Sequence, residues 1–136
     1  MTGSVNTLVP AAAAAICVVV GSAAAINRPR LRQPRLWWVP ALLAAAFFVG
    51  SLRAIVTGGL LGFWAEHIRN DWTNQIFLDL LLSASCAYFL LLARARAVSM
   101  KVLPWFGVIA ATGSIGLLAM IARVLYLERS AQTGTR

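Results

Sequence analysis

Of the 136 residues, 60% are hydrophobic and 12% charged, against about 25% charged in an ordinary soluble chain. That balance excludes a conventional water-soluble domain and makes a bilayer the expected solvent. The formal net charge of +8 would suggest nucleic acid in a soluble protein; here the cations fall between apolar runs, so anionic lipid headgroups are the expected partners and nucleic acid is not.

A membrane span needs about 20 mostly apolar residues, and four runs meet that: 8–26, 38–63, 73–92 and 102–127. The first is dominated by alanine at 11–15, with Gly21 and Ser22 behind, a composition that lets a neighbouring helix approach closely. It lacks a basic stretch ahead of its apolar core, so it is expected as a retained helix rather than a signal peptide. Pro29 and Pro34 interrupt the arginine-rich loop that follows, and Trp37 and Trp38 stand where an interfacial aromatic belt begins.

The second run carries Gly50, Gly58, Gly59 and Gly62, which predicts tight packing or a break near Gly58. A short polar loop, 66–71, leads into a leucine-rich third run. The fourth starts with Pro104 in its first turn, where proline is tolerated. The chain therefore reads as all-α, a four-helix transmembrane bundle forming one domain over 1–136. Arg28, Arg30, Arg32, Arg35, Arg94, Arg96 and Lys101 crowd loops one and three, against Arg69, Arg129 and Arg136 elsewhere. Seven cations against three put those loops inside and predict an N-out/C-out topology. Cys17 and Cys86 form no CxxC pair, so they read as packing residues and neither a metal site nor a cofactor is expected.

Three ionisable residues fall within the runs: Arg53, Asp79 and Arg123. Such residues are rare in membranes and mark function. At about 1.5 Å per residue they lie roughly 15, 9 and 6 Å below the outer ends of their runs. Glu66, Asp71 and Glu128 gather toward that same outer side. Gln75, Asp79, Ser83 and Cys86 recur at spacings of three and four, and Gly50, Arg53, Thr57 and Trp64 align similarly on the second run, as do Thr112, Gly116, Ala119 and Arg123 on the fourth. Three such stripes predict a pocket in the outer half, walled by Phe63, Trp64, Phe77 and Tyr126. The bland alternative is an ion pair of Asp79 with Arg53 or Arg123 that holds helices in register.

A glutamate in the first span, needed by a small multidrug-resistance transporter, is absent, as is the CxxC of a vitamin K epoxide reductase relative. Phe77, Leu78, Asp79, Leu80, Leu81 and Ser83, with Leu125, Tyr126, Leu127, Glu128 and Arg129, resemble small bacterial four-helix membrane proteins of unassigned function. Location in the inner membrane of a bacterial cell is expected. Trp64 followed closely by Glu66, with Asp79 further on, resembles the integral-membrane terpene cyclases of meroterpenoid and indole-terpenoid pathways. That resemblance implies metal-independent, acid-initiated cyclisation of a linear isoprenoid. Asp79 would donate the proton and Glu66 serve as second acid. Arg53, Arg123 and Ser83 would orient a lipophilic substrate, and Trp64, Phe77 and Tyr126 would stabilise the cation. A carrier or channel for a proton, an anion or an amphiphile is the main competitor; a structural subunit of a membrane complex is a third reading.

Overall fold

A computed structural model describes residues 36–59 and 61–134, together with Ala12, Ala14, Ala15, Ile16, Val18, Val19 and Ser22, which are helical. The rest of the first run, the arginines at 28–35, Cys17, Arg136 and the side chain of Phe63 lie outside the described residues. The chain divides into two compact units, Met1–Gln33 and Pro34–Arg136. The packing described below is internal to the second.

That unit is built from α1 (Trp38–Gly58), α2 (Gly62–His67), α3 (Asp71–Ala97), α4 (Val102–Thr112) and α5 (Ser114–Gly134); among the described residues there is no strand. Pro40 sits in the first turn of α1, where its missing N–H has no intrahelical acceptor to lose. The helix stops at the Gly58–Gly59 pair: Gly59 has φ +77° and its N–H closes on Ile55 O at 2.8 Å. The run expected as one helix over 38–63 is therefore cut at the glycines, and α2 is a separate short turn.

Asn70 starts α3 by a reciprocal cap. Its side chain accepts from the Thr73 N–H at 3.0 Å while its own N–H donates to Thr73 Oγ1 at 3.3 Å. Asp71 in the first turn complements the helix dipole. At the other end the Ser99 N–H reaches Arg96 O and the Met100 N–H reaches Ala95 O, both at 2.9 Å. That paired closure places Ser99 at φ +56°, the left-handed position that glycine usually fills.

The fourth run departs from expectation. A single helix over 102–127 would be about 39 Å long and would carry Glu128 to the side of the membrane opposite Arg94. Instead the chain breaks at Gly113, with φ 58° and ψ −123°, and α5 folds back along α4. Glu128 consequently accepts from Arg94 Nε and Nη2 at 3.0 and 2.8 Å. The two ends expected on opposite faces are side by side.

Helix α5 is the centre of the unit, packing on α1, α3 and α4. Tyr88, Leu91 and Ala95 of α3 meet Ile109 of α4 and Met120 and Val124 of α5 in one cluster, and the Tyr88 hydroxyl donates to Val102 O at 3.2 Å. Helices α1 and α3 are long and apolar enough to cross a bilayer, yet only 11% and 6% of their most apolar stretches are covered by protein. A core helix of a soluble protein would be mostly covered; these present hydrocarbon nearly all round.

Candidate functional site

The residues singled out in the sequence lie in three places. Trp64 and Phe77 do meet, edge to face at 6.5 Å, with His67 tilted on Phe77 at 4.6 Å. They sit at the end of the unit where α1 finishes and α3 begins. Glu66 is near them in sequence but points into the open, paired with Arg69 at 3.2 Å with both side chains about two-thirds exposed. Asp79 and Ser83 lie midway along α3 and Arg53 lies on α1, all three exposed. Among the described residues no ion pair joins Asp79 to Arg53 or Arg123. Arg123 and Tyr126 stand at the opposite end, beside the start of α1 and the first turn of α4.

At that opposite end the hairpin and α1 enclose an open groove of about 430 Å³. Ala41 and Ala44 of α1 face Ala119 and Ala122 of α5, and these four methyl-sized side chains leave the space. Three aromatic rings and one cation close it: Trp37, Trp105, Tyr126 and Arg123. Trp37 stands edge-on to Tyr126 at 5.4 Å, and the Arg123 guanidinium lies 5.8 Å from the Tyr126 ring centroid, within cation–π range. Among the described residues no carboxylate lines the groove. Its volume lies inside the range of small-molecule sites, and an apolar wall with one placed charge is the usual make-up of one.

The groove exists because of the Gly113 break. Trp105 and Tyr126 are 21 residues apart, which on one straight helix would separate them by about 31 Å; folded back, both line one space. The Arg94–Glu128 clasp secures the return leg. Its fork geometry, one carboxylate oxygen to each guanidinium nitrogen, fixes direction as well as distance. It also occupies Glu128, the acid nearest to Arg123 in sequence, on a different cation.

Trp37, Trp105 and the alanine facets are functional candidates that the sequence reading missed, Trp37 having been taken for part of an interfacial belt. The signal lay in Thr112, Gly113 and Ser114, three poor helix formers in a row inside an apolar run. Read as a break, they divide the supposed stripe of Thr112, Gly116, Ala119 and Arg123 between two legs. Compared with family models, with curated proteins and with solved structures, the chain matches none.

Proposed function

We propose that this is a multi-pass protein of a bacterial inner membrane that binds an anionic amphiphile in the groove between α1, α4 and α5. One observation carries the reading: an apolar, aromatic-walled space in which Arg123 is the charged lining group among the described residues. The acyl or other hydrocarbon part lies against the alanine facets and the rings. The anionic head meets the guanidinium, whose planar donors suit a carboxylate or phosphate.

Topology supports the same reading. With the Arg94–Glu128 clasp drawing the end of α5 to the third loop, the C-terminus belongs with loops one and three, in place of the outer position expected from charge counting. Arg94, Arg96, Lys101 and Arg129 then share one face, against Arg69 at the other end of α3. At about 16 Å for α4 and about 21 Å for the apolar part of α5, neither leg reaches across a core of about 30 Å, so the pair enters and leaves by the inner face. The groove opens at that inner, cation-rich end.

The test uses the purified protein in neutral detergent and a bromine-labelled fatty carboxylate that quenches Trp37 and Trp105 fluorescence, beside its neutral methyl ester. Saturable quenching by the acid, with affinity lowered about tenfold or more by the ester and by Arg123→Gln, is expected for one lost charge-assisted contact. Reconstitution with and without phosphatidylglycerol separates a lipid headgroup from a free amphiphile as the ligand. Equal quenching by acid and ester, or indifference to Arg123→Gln, overturns the proposal. Acid-initiated cyclisation finds aromatic faces in this groove but no acid to begin the reaction. Turnover of linear farnesyl or geranylgeranyl epoxides by the same preparation would restore that reading, with Asp79→Asn as the variant that must abolish it.

A further inference from the structure

Asp79 and Arg53 form an unsolved pair of problems. Each lies on the exposed surface of a long apolar helix, and among the described residues neither the carboxylate nor the guanidinium has a partner. Asp79 is eight residues, about 12 Å, into α3, and Arg53 is five residues, about 7.5 Å, from the end of α1, which places them in the same half of the bilayer. Facing lipid, each charge carries a heavy desolvation cost that proteins avoid by pairing. The first apolar run, 8–26, contains no charged residue, so it has nothing with which to neutralise either.

A second copy of the chain offers what each group needs. Polar neighbours extend the α3 face, since Gln75, Ser83 and Cys86 are exposed along with Asp79. On α1 the matching face is small, with Ala46 and Gly50 exposed on the turns before Arg53, which lets a partner helix come close. On the membrane-spanning reading, α1 and α3 cross in opposite directions, because the short α2 connection joins the end of one to the start of the other. A two-fold axis then sets Asp79 of each protomer against Arg53 of its partner, two reciprocal ion pairs in one self-complementary contact.

Resting on the membrane-spanning reading above, we infer that the chain is a homodimer in the bilayer, joined through α1 and α3 by reciprocal Asp79–Arg53 ion pairs.

Asp79→Arg and Arg53→Asp, each alone, are expected to weaken dimerisation in lipid nanodiscs by about tenfold or more, and the two together to restore it. The double reversal distinguishes a lost contact from a misfolded chain. A monomeric wild type, or a double variant no better than either single one, overturns the dimer. Resistance of the same material to carbonate washing separates the two levels: a monomer that stays in the membrane sinks this inference alone, whereas a chain that washes out sinks the membrane reading beneath it.

Discussion

Gly116→Ala tests the hairpin at its tightest point. Gly116 is buried, and a methyl carbon added there would stand 2.9 Å from both Cα and N of Ile109 and 2.8 Å from Thr112 Oγ1. The threonine hydroxyl already donates to Val108 O at 2.7 Å, so turning it aside costs that bond. The Ile109 backbone has no rotamer to change. The two legs must therefore part, at the overpacking cost of about 1–3 kcal/mol. Alanine also recovers up to about 1 kcal/mol of helix propensity over glycine, and Gly107→Ala isolates this gain, because nothing lies within 4 Å of a methyl group at Gly107. The difference between the two variants is thus the steric term. In thermal unfolding in mild detergent, at roughly 3–4 °C per kcal/mol for a chain of this size, Gly116→Ala is expected to melt below Gly107→Ala by about 3–12 °C. Were 102–127 one straight helix, both glycines would respond alike, and a coincident shift would refute the fold-back.

The remaining predictions probe topology and local closure. Epitope tags placed after Arg136 and in the 98–101 loop should be shielded together in intact cells, while a tag at 68–70 is reached from outside; an exposed C-terminal tag contradicts the clasp. A double-mutant cycle with Arg94→Gln and Glu128→Gln should give a coupling of about 1 kcal/mol, and the same cycle on Arg69 and Glu66 no more than about 0.5 kcal/mol. The Arg94 and Glu128 side chains are 35% and 22% exposed, whereas water and salt reach the outer pair freely. Ser99→Gly should raise stability by about 0.5–1 kcal/mol in the same melt, since glycine adopts φ +56° without the Cβ penalty; a loss of stability would mean that the paired closure of α3 does not form.

The helical class was legible because apolar runs this long leave no other way to satisfy the backbone in lipid, and the stop at Gly58–Gly59 was visible as a glycine pair. The end of α3 was less so: its turn is made by serine, a residue with no turn signature comparable to glycine. Gly113 escaped because hydropathy is blind to direction; 102–127 is equally apolar whether it crosses the membrane or doubles back. That one misreading set Arg123, Tyr126 and Glu128 at the same end as Trp64 and Phe77, whereas they lie at the opposite end, beside Trp37 and Arg94. Trp64 and Phe77 meet because they flank a short connection, where sequence proximity constrains space.

The disposition of the four acids explains why two arginines are left for other work. Glu66 is held by Arg69 and Glu128 by Arg94, and Asp71 sits in the first turn of α3, where the helix dipole favours it. Only Asp79, exposed on α3, has no local task. At the other end the position is reversed: Arg123 lines a groove without a carboxylate among the described residues, and the acid five residues further on is locked to a different guanidinium. A cation left without a described carboxylate beside an apolar groove is the basis of the proposed anionic ligand, and an unpaired carboxylate and guanidinium on two long apolar helices are the basis of the proposed second protomer. Both proposals thus rest on the same shortage of acids.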